Sequence, residues 1–124
     1  MSPTKRTMKY LRDLGYDVDP VERWIPNPKH PGGGFRKDWC GYGDLIAFDD
    51  TSTLVVQVKG ASGHAAAAKE LFQNIKARRF ASAHNRFVLV ISWPKRKRKL
   101  KSGKWSKMAY ATIREEFLFR DRDD

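Results

Sequence analysis

The chain has 124 residues, and 40% of them are hydrophobic, so it is long enough to bury a core and too apolar to be a disordered segment. Lysine and arginine number 25 against 14 acidic residues, which gives a formal charge of +11. This excess predicts a polyanionic partner, with nucleic acid favoured over an anionic membrane surface.

The cysteine content and the hydropathy pattern exclude several other classes of protein. The single cysteine, Cys40, excludes an internal disulfide and a cysteine-based zinc cluster, and it fits a reducing, cytoplasmic location. No run approaches about 18 apolar residues, so we expect no membrane span and no membrane partner. The first residues contain no apolar stretch, so we expect no secretory signal.

The first part of the chain predicts a helix, a strand and a loop, in that order. Residues 2–14 predict a helix that Gly15 can end in the left-handed conformation. Residues 16–25 predict a strand that Pro20 interrupts, which is typical of an edge strand or a bulge. Residues 26–38 are rich in proline and glycine and predict a mobile loop.

The middle of the chain predicts a hairpin, a long helix and a buried strand. Residues 44–48 and 54–59 are two short β-rich runs, and the turn-forming residues 49–52 lie between them. Residues 65–83 have the apolar periodicity of a helix. The nearly all-apolar run 87–91 predicts a central strand.

A polar stretch follows at 94–104, and a last alternating strand is predicted at 108–113. The tail, 120–124, has the composition of a frayed end. We therefore expect a single α/β domain over residues 1–124, with a central mixed sheet flanked by helices and a basic hairpin or loop at 94–107.

The predicted hairpin brings three polar residues together at its open end. A four-residue turn at 49–52 places Asp44 opposite Gln57, and opposed residues share a sheet face with Cβ atoms about 5 Å apart. Lys59 lies two residues beyond Gln57 and therefore faces the same side. The pattern fits either a solvated strand face or a functional cluster.

The order of these residue types resembles a known signature. Asp44, followed after residues 45–56 by Gln57-Val58-Lys59, is similar to the motif of the PD-(D/E)XK nuclease superfamily. In that motif an aspartate opens the second strand and an acid-x-lysine follows in the third, and a glutamine-x-lysine variant occurs in restriction-enzyme-like branches.

Two further segments extend the resemblance. Residues 14–18 are similar to the passage from the leading helix to the first strand in Holliday junction resolvase-like members, and residues 36–47 are similar to a stretch common in small phage and archaeal members. The resemblance implies a restriction-endonuclease-like αβββαβ core and a metal-dependent DNA endonuclease. It also implies a substrate such as a Holliday junction or other branched DNA, and a homodimer whose two-fold axis matches the junction.

Phosphodiester hydrolysis assigns roles to the residues of this motif. The reaction needs a hard divalent cation, Mg²⁺ with Mn²⁺ as a substitute, and such ions prefer oxygen ligands. Asp44 is the anionic ligand, the Gln57 side chain and the Val58 carbonyl can supply two neutral oxygens, and Lys59 can hold the attacking water or stabilise charge on the phosphate.

The glutamine leaves the predicted site short of negative charge, so a further acid is expected. Glu22, on the first predicted strand, is the preferred catalytic and metal-ligating candidate, because a strand beside the hairpin can aim at the same place. Asp38, six residues before Asp44, is a further metal-ligand candidate, and Asp13 lies near the end of the first helix. Each of them is equally explained as a plain surface charge.

The densest run of basic residues, 95–99, predicts the DNA-binding surface. One interpretation is that it binds DNA phosphates, which gives affinity without reading the base sequence. The other is that it is the solvated tip of a hairpin. Trp93 and Trp105 flank the block and can either stack on bases or anchor the hairpin. His64 follows Lys59 closely and can touch a phosphate, although a surface or capping role is favoured. The predicted DNA-binding residues are Lys95, Arg96, Lys97, Arg98, Lys99, Lys101, Lys104, Arg78 and Arg79.

Two functions of different classes follow from the sequence. The first is a Mg²⁺-dependent endodeoxyribonuclease. The second is a nucleic-acid-binding module of the same fold without catalysis, which Gln57 keeps open because the motif has an acid there.

Overall fold

The computed structural model describes residues 1–120 of the chain. It has three α-helices, nine strands within that range and a short 3-10 turn at Pro31–Gly33. In chain order they are α1 (Pro3–Asp13), β1 (Asp17–Pro20), β2 (Arg23–Pro26), β3 (Gly34–Lys37), β4 (Leu45–Phe48), β5 (Thr53–Lys59), α2 (His64–Phe72), α3 (Ile75–Phe80), β6 (Arg86–Ser92), β7 (Lys95–Arg96), β8 (Tyr110–Ala111) and β9 (Arg114–Leu118).

Five of the strands form a mixed central sheet in the order β1-β4-β5-β6-β9. β1, β4 and β5 are antiparallel neighbours, β6 runs parallel to β5, and β9 returns antiparallel to β6. The parallel step needs a crossover, and α2 and α3 supply it. The predicted α/β class with a mixed sheet and flanking helices is confirmed.

Alternating side chains of the central strands build a separate core on each face of the sheet. Leu45 and Val56 point to the face that α1 covers through Leu11. Val55 points to the opposite face and packs with Leu71 of α2. β5 and β6 are therefore buried on both sides, which explains why they read as almost continuous apolar runs.

The hairpin of β4 and β5 has the predicted register. Phe48 pairs with Thr53 and Ile46 with Val55, so the turn occupies residues 49–52. Asp49 closes the turn, because its carboxylate accepts hydrogen bonds from the backbone N–H of Ser52 at 2.8 Å and from that of residue 51 at 2.9 Å.

The predicted single helix at 65–83 is wrong, because the chain forms two helices there. α2 ends at Phe72, and Asn74 starts α3 by accepting a hydrogen bond from the Ala77 N–H at 3.0 Å. Apolar periodicity continues across this break, whereas a capping asparagine offers the backbone a partner that a continuous helix would not need.

The predictions for residues 16–38 also need correction. The expected strand at 16–25 is two strands in different sheets, β1 in the central sheet and β2 in a two-stranded hairpin. The expected loop at 26–38 contains β3, which pairs with β2. The local composition of residues 34–37 favours a loop, but hydrogen bonding to β2 makes them a strand.

The end of the chain differs from the prediction as well. Of the strand expected at 108–113, only the short β8 (Tyr110–Ala111) forms, and β9 follows at Arg114–Leu118 as an edge of the central sheet. β7 and β8 pair, and the Thr112 N–H donates to the Pro94 carbonyl at 2.9 Å, so residues 94–112 form a hairpin, called the basic finger below. Of the predicted frayed tail, residues 121–124 lie outside the described residues.

Trp93 anchors the base of the basic finger to α1. Its indole N–H donates to the hydroxyl of Thr7 at 2.9 Å, and its ring meets Tyr10 edge-on at 6.4 Å. Trp105 is 63% exposed on the finger. The two tryptophans that flank the basic block therefore divide into an anchor and a surface residue. Within residues 1–120, no helix is long and apolar enough to cross a membrane.

We expect Thr7→Val to lower the free energy of unfolding by about 1–3 kcal/mol, measured by urea denaturation. The fully buried Thr7 hydroxyl donates to the Pro3 carbonyl at 2.8 Å and accepts from Trp93, so its loss leaves the indole N–H without that partner. Thr4→Val, in the same helix at a half-buried position, is the control and should change stability far less. Equal losses in the two variants would contradict the role of the hydroxyl.

Candidate metal centre and nucleic-acid surface

Three carboxylates meet beside the end of β5. Glu22, Asp38 and Asp44 each place one carboxylate oxygen within 4.8 Å of the other two, and all three side chains are half-buried. These acids come from three separate segments of the chain. Glu22 and Asp38 were alternatives in the sequence, and the structure brings both of them to Asp44.

The pairing of the surrounding strands explains why these acids meet. The Val21 N–H donates to the Asp44 carbonyl at 3.0 Å, which extends the β1–β4 ladder and places Glu22 next to Asp44. Arg23 pairs with Lys37 at the base of the β2–β3 hairpin, so Glu22 and Asp38 follow as the next opposed positions. The hairpin therefore carries two of the three acids at its root.

A tight turn completes the cluster by returning the chain from Asp38 to Asp44. Trp39 and Gly43 exchange backbone hydrogen bonds of 2.9 and 2.8 Å, and the residues between them reverse direction. Cys40 and Gly41 both have positive φ, 53° and 79°. Gly43 has no room for a side chain, because a Cβ there would lie 2.9 Å from Val55 Cγ1.

Asp44 is held against β5 through both its backbone and its side chain. Its N–H donates to the Val56 carbonyl at 3.0 Å, and its carboxylate accepts from the Val58 N–H at 2.8 Å. The carboxylate thus takes a position in the ladder between β4 and β5 where a backbone carbonyl would otherwise accept. This arrangement fixes Asp44 beside Gln57, the residue between Val56 and Val58.

The surroundings of Asp44 oppose its ionisation in the absence of a cation. Burial, followed by the charge of Asp38, a hydrogen bond with it and the charge of Glu22, raises the pKa of Asp44 from 3.8 to about 7, although the Val58 hydrogen bond lowers it. Arg36 approaches Glu22 at 3.4 Å from an exposed position. One exposed guanidinium compensates weakly for three clustered carboxylates, so the cluster could hold a divalent cation.

Gln57 and Lys59 lie on the α2 face of the sheet, on the part of β5 that follows the bonds to Asp44. Side chains alternate between the two faces along a strand, so Gln57 and Lys59 share the face of Val55, opposite that of Val56 and Val58. The Lys59 side chain also lies close to Gly63. Gln57 and Lys59 are both half-buried, and Lys59 forms no ion pair within residues 1–120. The last three residues of β5 therefore carry an amide group, that of Gln57, and an ammonium group, that of Lys59, beside the acidic cluster.

The donor set suits a hard cation. Carboxylate oxygens are the ligands that Mg²⁺ and Mn²⁺ prefer, and Mg²⁺ keeps several waters, so three carboxylates with nearby neutral oxygens are sufficient. Glu22, Asp38 and Asp44 would hold the ion. The Gln57 side chain and the Val58 carbonyl remain the neutral-ligand candidates from the sequence. Asp13, the third acid considered, pairs instead with Lys9 at 2.8 Å on the exposed side of α1.

A hydrogen-bond network centred on the buried His64, which the sequence did not reveal, attaches the beginning of α2 to the sheet. His64 Nδ1 lies 2.6 Å from Ser92 Oγ, and His64 Nε2 lies 2.9 Å from Glu116 Oε1. Because a carboxylate only accepts, Nε2 donates to Glu116, and in the neutral ring Nδ1 accepts from the Ser92 hydroxyl. The expected surface or capping role for His64 is wrong, since the side chain is buried.

This network has the residue types of a serine hydrolase triad but does not support that chemistry. Ser92 is 1% exposed, so no substrate carbonyl can reach its hydroxyl. Ser92 pairs with Lys59 across the β5–β6 ladder. The network therefore holds α2 and the end of β6 in place beside Lys59.

The basic finger starts at the same end of the sheet as the acidic cluster. Lys59 pairs with Ser92, the Trp93 N–H donates to the Gly60 carbonyl at 3.1 Å, and the finger begins at the next residue. All of its basic side chains are exposed, and none forms an ion pair within residues 1–120. They are Lys95, Arg96, Lys97, Arg98, Lys99, Lys101, Lys104 and Lys107.

The two predicted DNA-binding arginines of α3 lie elsewhere. The Arg78 guanidinium lies over the rings of Phe72 and Phe119, 5.2 and 4.9 Å from their centres, and donates to the Phe72 carbonyl. Arg79 is exposed and borders a basic pocket of about 310 Å³ with Arg86. Arg86 pairs with the first residue of β5, so this pocket lies about 20 Å along the strand from Lys59.

The chain matches no protein-family model, no curated protein and no solved structure. The proposed function therefore rests on the residues and geometry of the chain and on the motif that its sequence resembles.

We expect the metal-free protein to lose stability relative to its Asp44→Asn variant as pH rises. A carboxyl group with a raised folded-state pKa stabilises the fold fully below its unfolded value of 3.8, and that contribution is lost as pH rises through about 7. Urea unfolding in EDTA at pH 5 and pH 8 measures both proteins, and the variant should gain on the wild type at pH 8. Asparagine keeps an acceptor for the Val58 N–H, so the pair differs mainly in charge.

Divalent metal provides the second half of this experiment. Mg²⁺ or Mn²⁺ should stabilise the wild type more at pH 8 than at pH 5, because the ion binds the ionised carboxylate. The Asp44→Asn variant should respond weakly at both values. Parallel pH profiles for the two proteins, with the same response to metal, would contradict the proposed coupling of the three acids.

Proposed function

We propose that this chain is a Mg²⁺-dependent DNA endonuclease that hydrolyses phosphodiester bonds in branched DNA such as a Holliday junction. The observation that carries the proposal is the cluster of Glu22, Asp38 and Asp44 beside the part of β5 that bears Gln57 and Lys59. Mn²⁺ is expected to substitute for Mg²⁺, because both accept oxygen ligands in similar geometry.

The order of the elements supports a restriction-endonuclease-like core. α1, β1, β4, β5, the helices α2 and α3, and β6 follow the αβββαβ order, with β2 and β3 inserted as an extra hairpin. In that comparison β4 and β5 correspond to the strands that carry the aspartate and the acid-x-lysine. This fold assignment is part of the proposal, and the mixed sheet with helices on both faces is its structural basis.

Each residue of the site has a chemical task in the proposed reaction. A divalent ion held by the three carboxylates would polarise the scissile phosphate and lower the pKa of a bound water. Lys59 holds the attacking water or stabilises the negative charge that grows on the phosphate oxygens. Gln57 would offer the ion a neutral side-chain oxygen, which leaves the anionic charge to Glu22, Asp38 and Asp44.

The charge distribution supports DNA as the substrate. The basic finger begins at the end of the sheet that carries the acidic cluster, so DNA lying across this end would meet both the cations and the acids. The overall charge of +11 favours association with any polyanion, and the finger directs it. A homodimer would present two such sites to the two symmetric strands of a junction.

We expect Asp44→Ala to reduce metal-dependent cleavage by roughly a thousandfold or more, about 4 kcal/mol in the barrier, while DNA binding is kept or tightens. The variant loses the buried anionic ligand and also one negative charge near phosphate. The assay incubates a labelled four-way junction, a plain duplex and a flap with Mg²⁺ or Mn²⁺, and a gel shift in EDTA measures binding.

Asp50→Ala is the control for this experiment, because Asp50 is an exposed acid in the turn at the opposite end of β5. It should cleave at the wild-type rate. Wild-type cleavage by the Asp44→Ala protein would show that the assigned site is wrong. A metal-independent gel shift without any cleavage by the wild type would favour the second candidate.

That second candidate is a nucleic-acid-binding module of the same fold without catalysis. The observation in its favour is Gln57, a neutral side chain where the resembling motif has an acid. A binding module of this kind would use the basic finger in the same way and bind DNA with the same affinity. The acidic cluster would then have no catalytic role.

Gln57→Glu separates the two candidates. If Glu22 and Asp38 already supply the missing charge, the substitution should tighten metal binding and change turnover by only about tenfold in either direction, about 1.4 kcal/mol. We expect measurable wild-type activity, because Lys59 stands where cleavage needs a cation. An inert wild type that gains cleavage from this substitution would assign the natural chain to the binding class.

A further inference from the structure

The basic finger carries a pocket that the proposed cleavage reaction does not use. It has a volume of about 640 Å³, within the range of small-molecule binding sites. Its lining combines one arginine with side chains that are mostly apolar. The lining residues are Arg98, Ser106, Met108, Ala109 and Tyr110.

Unequal strand lengths in the finger create this pocket. Arg96 pairs with Tyr110, and the Ser106 N–H donates to the Arg98 carbonyl at 2.8 Å. One residue separates Arg96 from Arg98, whereas three residues, 107–109, separate Ser106 from Tyr110. The longer segment cannot stay in register with the shorter one, so it leaves a concave surface between them.

Ser106 holds the shape of the pocket from within. Its hydroxyl accepts from the Arg98 N–H at 3.1 Å and donates to the Met108 carbonyl at 2.9 Å. The segment that bows outward is therefore tied back to the opposite strand by a side chain as well as by the backbone. The pocket is built by hydrogen bonds within the finger.

The side chains that line the pocket suit a flat apolar ring next to a negative charge. Tyr110 is 48% exposed and Met108 is 82% exposed, so both side chains are open to a ligand. An aromatic ring and a polarisable thioether provide a stacking surface, and Arg98 provides a cation beside it. A basic surface with an exposed aromatic platform is the combination that binds single-stranded nucleic acid.

We propose that this pocket binds an unpaired base of DNA, which stacks on Tyr110 while the surrounding lysines and arginines bind the neighbouring phosphates. A base inside a duplex is stacked between its neighbours and cannot enter. The pocket therefore selects DNA that has an unpaired nucleotide at a branch, a bulge or a single-stranded end. The inference rests on the proposed function for its partner, DNA, and is independent of catalysis.

The test compares two DNA duplexes of the same length in EDTA. One has a single unpaired 5-iodouracil, and the other has the same base opposite adenine. Anisotropy titrations should show tighter binding of the bulged duplex by the wild type. Tyr110→Ala should weaken that binding about tenfold and leave the paired duplex unchanged. The slope of log K against log salt should also stay unchanged, because no phosphate contact is removed.

Matched variants and a crosslink give the experiment its specificity. Tyr110→Phe keeps the ring and should retain the preference for the bulge. Phe48→Ala removes an aromatic side chain of similar exposure at the other end of the sheet and should have no effect. Irradiation should crosslink the unpaired 5-iodouracil, and not the paired one, to Tyr110 or Met108, located by mass spectrometry.

Three results would overturn the inference. The first is equal affinity of the wild type for the two duplexes. The second is an unchanged preference for the bulged duplex in Tyr110→Ala. The third is that the wild type binds phosphatidylserine vesicles, loses that binding in Tyr110→Ala, and shows no preference between the duplexes. Cleavage is scored separately. A protein that prefers the bulge but never cuts would overturn only the nuclease proposal, and one that cuts without the preference would overturn only the pocket.

Discussion

The hydrogen bond from the Val58 N–H to the Asp44 carboxylate joins the candidate site to the central sheet. β5 pairs with β6 over its whole length and with β4 from Thr53 to Val56, and its central residues are buried between two cores, so its backbone is held on both sides. Asp44 takes its position from that backbone. The acids from the β2–β3 hairpin then approach a carboxylate that is already in place, which lowers the reorganisation needed to bind a cation.

The molecule combines a hydrogen-bonded framework with two exposed hairpins. The framework is the sheet, fastened at the site by the His64 network and by Trp93 on Thr7. Two hairpins project from it, the β2–β3 hairpin and the basic finger, and both carry exposed cations. Catalytic geometry needs a fixed backbone, whereas phosphate contacts tolerate variation because they act through charge. The proposed division of labour follows from that difference.

Local patterns were sufficient for some elements and not for others. The β4–β5 hairpin was predictable with its register, because strand alternation and a turn sequence are both local. The break between α2 and α3 was missed, although Asn74 is a capping residue, because the apolar stripe continues across it. β3 and β9 were missed because their composition is ordinary and their strand conformation comes from the partner strand.

The sequence by itself determined the α/β class, the basic character and the Asp44, Gln57 and Lys59 set on one hairpin, since charge, composition and period-2 alternation are properties of neighbouring residues. It left Glu22 and Asp38 as alternatives. Only the tertiary structure decided that both acids join Asp44, because their meeting depends on the registers of the β1–β4 and β2–β3 ladders and on the turn at 39–43. Pairing between distant segments is set by burial across the whole sheet, which no local pattern encodes.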